Sequence, residues 1–583
     1  MGFVQRHLFL TLLALRLINV YAVQTFTHPD ETWQSLEVAH HAVFGYGFLT
    51  WEWRHALRGF AHPLLFAAVY KTLAFLHLDD TFLLLTAPYI LVALVAASVD
   101  YSTFHFAKRL AGIHVADWTI LCSVMSFSMG TDIVRPLINS VETALTAAAF
   151  ALWPWSGCGS PSAISGKANL PRKPARAYAN DDIKSLPAAL AFAAMACIIR
   201  PTSGVVWLGA CVFLAFGRSH LARHDGLLPW TVRRTLRIVK IAMAVGSVAF
   251  PAMLVVDRLG YKRWVFPPYQ FYRFNVQQDL ATWFGESHVL YHFYASVPVL
   301  FTSMLPFVIH GVYIAFTTRR VSTEPALLAA VVLVLFSLVS HMEYRFVYPL
   351  LPIGFTYAGV SIDTLAGHLP MSVTVDDVAS YPMPSQSTSR HVSDNIKYRK
   401  KPTSASKKLS VRTVLIYLFV TNIPAILYVD LVHQRGVVDV FKYLRHNSTS
   451  GKNNSVTSVG FLMPCHSTPF YSHLHRNIPM WFLSCEPPLE RSAMDSHYWE
   501  ANDFEQDPAE FIRDIFSTLP LQHTERTRHE QPSHLVLYGS MASRIRDELD
   551  GLGYAETARF FNSHFNPDSR RRGDVVVFRK QLV

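Results

Sequence analysis

A stretch of mixed acids, aromatics and histidines, Thr27-His28-Pro29-Asp30-Glu31-Thr32-Trp33-Gln34-Ser35-Leu36-Glu37-Val38-Ala39-His40, follows directly on an apolar run at residues 8–25. Pro29 suits the start of a helix, and Asp30 and Glu31 in its first turn can simply complement the positive end of the helix dipole. The sharper reading makes Asp30 a general base at the face of a membrane, with Glu31 as the neighbouring carboxylate able to hold the role instead. One well-placed carboxylate suffices for an inverting single displacement onto a sugar hydroxyl. Where the leaving group is a phosphate, no acid partner is needed. Trp33 and Gln34 on the same segment, and Trp51 and Trp53 in the run Gly45–Trp53, offer stacking and hydrogen-bonding groups for a sugar. The alternative for such aromatics is an interfacial belt.

Three further turns carry arginine: Arg135-Pro136-Leu137-Ile138-Asn139-Ser140-Val141-Glu142, Arg200-Pro201-Thr202-Ser203 and His341-Met342-Glu343-Tyr344-Arg345. One Arg at the end of a span can merely snorkel to the interface, but acids and bases mixed at three turns on one side read as a site. The planar guanidinium fork matches phosphate, so Arg345 is the first choice for a lipid-phosphate clamp, with His341 and Glu343 in the same turn and Arg135 or Arg200 as second choices. Asn139 and Glu142 share a helix face at i and i+3, where they can bond a substrate or each other. The aromatic stretch Phe266–Val276, followed by Trp283-Phe284-Gly285, is either an interfacial helix or a wall of a lipid-donor groove.

These turns need a scaffold, and the composition says which. Charged residues make up 16% of the 583, against ~25% in an average soluble protein, while hydrophobic residues reach 51%. That describes a polytopic α-helical membrane protein and excludes collagen, coiled coil and a fully disordered chain. A net charge of +11 then reads as positive-inside loop charge, with no nucleic-acid partner implied. Apolar stretches near 8–25, 82–107, 117–133, 138–155, 186–200, 203–217, 236–256, 294–316, 326–341, 345–366 and 411–430 predict about eleven transmembrane helices. A further run, 62–78, is read as interfacial or re-entrant, because that choice collects the basic loops on one face. The loops 156–185 and 367–410, rich in Ser, Pro, Lys and Arg, are then disordered cytosolic linkers, and the loop 26–61 with everything after 430 is lumenal.

The chain divides into a transmembrane module, 1–430, and a small α+β lumenal domain, 431–583, with strand-like runs at Val456–Met463, Leu535–Tyr538 and Val575–Phe578. Asn447 and Asn453 head glycosylation sequons that only a lumenal tail can use. Cys465 and Cys485 are the only cysteines in a polar region, so they are the expected disulfide partners. No zinc-binding spacing is present. A transporter or a membrane scaffold is the competing class, but ionisable groups placed at span ends on one side favour an interfacial enzyme.

The motifs His28–His40, Gly45–Trp53, Asn139-Ser140-Val141-Glu142-Thr143, His341–Tyr348 and Leu462-Met463-Pro464-Cys465-His466-Ser467-Thr468-Pro469 resemble glycosyltransferase family 22, and within it the branch acting on GPI precursors. The resemblance implies a GT-C-like fold in the endoplasmic reticulum membrane, with dolichyl-phosphate mannose as donor substrate and no cofactor. It implies a GPI glycolipid precursor as acceptor and an α1,2-linked third mannose as product. Mannosyltransferases of N-glycan assembly or of the fourth GPI mannose share this donor and are the near alternatives. The family's acidic first-loop motif maps onto Asp30 and Glu31, and its His-x-Glu-x-Arg turn onto His341, Glu343 and Arg345. The turn departs from the family's pattern at Met342, where a Lys is expected.

Overall fold

The structure, a computed structural model, describes residues 7–155, 184–216, 227–367, 410–448, 455–517 and 525–581. The two expected linkers, 156–185 and 367–410, fall almost wholly outside these residues, as does Asn453.

Inside a bilayer every backbone N–H and C=O must be satisfied within the chain, which leaves apolar segments little choice but helix. The membrane module forms α1 (Leu8–Ala22), α2 (Glu37–Phe44), α3 (Ala61–Phe75), α4 (Leu83–Ala111), α5 (Ile113–Val124), α6 (Ile138–Leu152), α7 (Leu186–Ile199), α8 (Ser203–Phe216), α9 (Leu227–Tyr261), α10 (Leu305–Thr318), α11 (Glu324–Phe336), α12 (Leu351–Leu365) and α13 (Val411–Leu431). Among the described residues, Leu83–Ala111, Arg234–Tyr261, His292–Thr318 and Val411–Ser448 are long and apolar enough to cross a membrane, and α1, α5, α6, α7, α8 and α11 are shorter apolar helices. The run 62–78 becomes α3, packed on α2 and α4.

The helices pack closely where side chains are small. A Cβ at Gly311 of α10 would collide with the Tyr357 carbonyl of α12, and one at Gly359 of α12 with Thr119 and the Val115 carbonyl of α5. One polar link runs through the interior. The Arg16 guanidinium of α1 donates to both oxygens of Asp100 on α4 at 2.7 and 3.0 Å, and Ser123 Oγ donates to the same carboxylate at 2.6 Å. Both members are fully buried, so the expectation that ionisable groups sit only at span ends is corrected here. A charge inside the module is tolerated because it is paired and hydrogen-bonded.

After α13 the chain forms α14 (Gly436–Ser448) and a five-stranded sheet of β1 (Val459–Leu462), β2 (Met480–Phe482), β3 (His534–Tyr538), β4 (Tyr554–Phe560) and β5 (Val575–Lys580). The order is β2-β1-β3-β5-β4, parallel across β2, β1 and β3 and antiparallel at β3/β5 and β5/β4. Alternation along β5 serves two cores. Val576 and Phe578 pack under the helix Pro508–Ile515. Val575 and Val577 face α14 and, with them, Phe26 and Trp33 of the first loop. Cys465 and Cys485 are joined by a disulfide.

The first loop is therefore held between membrane module and sheet. Trp33 Nε1 donates to the Thr468 carbonyl at 2.9 Å, and the buried Glu37 carboxylate accepts from the backbone N–H groups of Phe48, Tyr471 and Ser472 at 3.2, 3.2 and 2.8 Å. His40 meets His475 at 2.9 Å.

Candidate active site

The helix expected at Pro29 begins there: the Glu31 N–H donates to the His28 carbonyl and the Trp33 N–H to the Pro29 carbonyl, at 3.1 and 3.0 Å. Residues adjacent on a helix point about 100° apart, and this separates the two acids. Glu31 turns inward. Its side chain is 1% exposed, lies 3.1 Å from Arg135 Nη1, and accepts from the backbone N–H groups of Thr27 and His28. Asp30 turns outward, is 21% exposed, and meets Arg345 Nη1 at 2.6 Å.

Arg345 stands in the short helical turn Tyr344–Leu350 that leads into α12. It is shared between two acids, since Nε and Nη2 also donate to the two Glu343 oxygens at 2.7 and 2.9 Å. His341 completes the turn, its Nε2 3.6 Å from Glu343 and its Nδ1 2.9 Å from the Gly285 carbonyl. Burial pushes the Glu343 carboxyl up, but the Arg345 charge and the His341 hydrogen bond overcome it and hold it well below the usual carboxylate range. The pairing of Asp30 with Arg345 sets a part-exposed carboxylate beside a guanidinium. That arrangement can deprotonate a hydroxyl and stabilise a departing phosphate side by side.

Several expected site residues lie elsewhere. Arg135 is fully buried and committed: it donates to the Thr131 and Thr25 carbonyls and Thr25 Oγ1, all at 2.8 Å, and pairs with Glu31 and Asp430. No donor is left for a phosphate, so Arg135 is corrected from clamp to scaffold. Arg200 pairs with Glu142 at 3.1 Å and lies over the Phe346 ring at 4.5 Å, one residue from Arg345. Asn139 donates to the Arg345 carbonyl at 3.1 Å. Asn139 and Glu142 thus do not bond each other; they brace the turn that carries Arg345.

Trp51 is buried against Phe274 and Phe284, and Trp53 against Phe60 and Tyr261, which removes both as open stacking platforms. Trp33 is spent on docking the sheet. Gln34 donates to Glu52, whose other oxygen accepts from Arg58.

Five further residues gather around the Asp30–Arg345 pair. His28 Nε2 is 2.9 Å from the Tyr344 hydroxyl and 3.5 Å from Asp132, a carboxylate in the same loop as Arg135, and Tyr348 lies against that carboxylate. His466, on the loop leaving β1, lies within reach of the Asp30 charge. The signal for His28 was present in the first-loop motif; nothing local marks Asp132, because only folding brings residue 132 to residue 28.

Residues 7–475 match the Alg9-like mannosyltransferase family. GPI mannosyltransferase 3 of Yarrowia lipolytica is 36% identical over 573 residues, covering 97% of this chain and 95% of its own. Mannosyltransferase APTG1 of Arabidopsis thaliana is 33% identical, covering 98% and 92%. GPI alpha-1,2-mannosyltransferase 3 of Homo sapiens is 32% identical, covering 99% and 87%. Among solved structures, ArnT from Cupriavidus metallidurans bound to undecaprenyl phosphate superposes with a TM-score of 0.53 at 12% identity, over 99% of this chain and 98% of that one, a likeness of fold.

Proposed function

The chain belongs to the Alg9-like mannosyltransferase family, and on that premise we propose that it adds the third, α1,2-linked mannose to a GPI-anchor precursor, with dolichyl-phosphate mannose as donor in the endoplasmic reticulum membrane. The observation that carries this reading is kinship along nearly the whole chain with proteins named for that step, 36% in Yarrowia lipolytica and 32% in Homo sapiens. A part-exposed carboxylate paired with a guanidinium, Asp30 with Arg345, supports it chemically.

In this reading Asp30 takes the proton from the acceptor hydroxyl as its oxygen attacks the anomeric carbon. The bond from that carbon to the phosphate oxygen breaks in the same displacement, and the lipid phosphate leaves with its charge on Arg345. Glu343 and His341 fix the guanidinium; Asn139, Glu142 and Arg200 brace the turn beneath it. Asp30 and Arg345 hold each other, so a phosphate that takes the guanidinium frees the base. Glu31 is structural. The same reading keeps about eleven crossings, with this face and the tail in the lumen.

The test is genetic and chemical. Microsomes from cells lacking the protein, supplied with labelled dolichyl-phosphate mannose, should accumulate a GPI intermediate with two mannoses, and restoring the chain should elongate it. Accumulation of an intermediate with one or three mannoses would assign the protein to another step.

A further inference from the structure

The loop that leaves β1 does more than close the tail domain. Cys465 is tied to Cys485 beside β2, Ser467 Oγ donates to the Pro464 carbonyl at 2.5 Å, and the Thr468 carbonyl receives the indole N–H of Trp33. Between these ties His466 adopts φ +56°, a left-handed backbone that the loop enforces on a non-glycine residue. Its ring lies 4.6 Å from Trp33 and 5.4 Å from Phe482. Trp33 is three residues beyond Asp30 in the same helical segment, and the Asp30 charge reaches the His466 ring.

His466 is half-buried, and among the described residues neither ring nitrogen has a hydrogen-bond partner. Burial lowers the imidazole to about 4, with the nearby Asp30 charge opposing and the Arg571 charge adding to the effect. At working pH the ring is neutral. A neutral imidazole keeps one nitrogen as acceptor and the other as donor, which suits a sugar hydroxyl and not a phosphate.

We propose that His466 is an acceptor-binding residue, hydrogen-bonding a hydroxyl of the terminal acceptor mannose next to the one that Asp30 deprotonates, so that the sheet domain supplies the acceptor wall of the site. The inference rests on the function proposed above. Donor phosphate is held by Arg345 on the membrane module, and acceptor by the disulfide-pinned loop on the tail; the two substrates meet where the two parts of the chain meet.

The test uses the full-length protein in detergent with dolichyl-phosphate mannose and the dimannosyl GPI acceptor. His466→Leu should raise the acceptor KM about tenfold, the worth of one hydrogen bond, and leave unchanged the donor KM and the slow release of mannose to water when no acceptor is present. His466→Asn, which tolerates the left-handed backbone and keeps an acceptor oxygen, should stay within about threefold of wild type. A second measurement has an arm that uses wild type alone: removing one of the other hydroxyls of the terminal acceptor mannose should cost about tenfold there, and where His466→Leu folds it should be blind to that removal. An unchanged acceptor KM in His466→Leu, equal losses for donor and acceptor, or a wild type indifferent to every hydroxyl would overturn the proposal. A wild type that ignores the dimannosyl GPI acceptor altogether would sink the proposed function instead, and the His466 comparison would then be read on the mannose-terminated acceptor it does use.

Discussion

Replacing Asp30 by Asn keeps the size of the side chain but removes its charge and its capacity to take a proton. Two effects of opposite sign follow from its 2.6 Å contact with Arg345. Turnover should fall by ~10²–10⁴, the usual contribution of a general base. Donor binding should tighten, because the guanidinium that Asp30 holds becomes available to phosphate. Asp30 is 21% exposed and Arg345 10%, so their attraction lies toward the surface end of the range, about 1 kcal/mol, or ~5-fold in donor KM. Initial rates of purified full-length protein at varied dolichyl-phosphate mannose separate the two numbers. Glu31→Gln is the control. It breaks a buried pair with Arg135 and should cost stability on the order of 3 kcal/mol, visible in the melting temperature, while the folded fraction keeps its turnover. Near-normal transfer by Asp30→Asn beside a folded but inactive Glu31→Gln would move the base by one residue. If both stayed active, Glu343 would be the next acid to test.

Arg345→Lys keeps a charge but loses the two-pronged contact with Glu343, so donor KM should rise about tenfold together with a fall in turnover; an unchanged donor KM would remove Arg345 from the phosphate. Breaking the Cys465–Cys485 bond by double Ser substitution closes no loop of 20 residues in the unfolded chain and should cost ~3 kcal/mol, read as a lower melting temperature that reductant no longer changes. Burial raises the Glu37 carboxyl from 4.5 to about 7, so the folded chain keeps a proton that the unfolded chain releases, and stability should fall as pH rises across that window. Glu37→Gln should flatten that slope; an unaltered slope would mean that Glu37 does not hold the proton. Protease added to sealed microsomes should cut the 367–410 loop and spare the tail, and digestion of the tail without detergent would reverse the topology.

Much of the scaffold was legible because its signals are local. Apolar runs foretold α4 and α13 within a few residues and the middle of the longer α9, and the β-branched runs near 459, 535 and 575 foretold β1, β3 and β5. The strands β2 and β4 were missed: Met480–Phe482 is only three residues long, and Tyr554–Phe560 alternates around a bulge at Glu556/Ala558. α14 was missed as well, since its apolar face is covered only by the sheet that follows. The Arg16–Asp100 pair joins residues 84 apart, and no spacing rule announces it.

At the candidate site, the sequence singled out the turns but not which members of each turn are tied up by their neighbours. That choice depends on how many acceptors fold around each cation. Arg135 meets two carbonyls, a hydroxyl and two carboxylates, which use up its five N–H donors and close it to any ligand. Arg200 spends its charge on Glu142 and its face on Phe346. Arg345 is held by Glu343 through two of its nitrogens and by Asp30 through the third, and Asp30 is the only one of these partners that the proposed chemistry requires to be released. A phosphate that replaces Asp30 on Arg345 satisfies the guanidinium and at the same moment leaves a free carboxylate beside the bond to be broken. In the proposed reaction this sets the order of events: the base is released when the phosphate takes Arg345, so deprotonation follows donor binding.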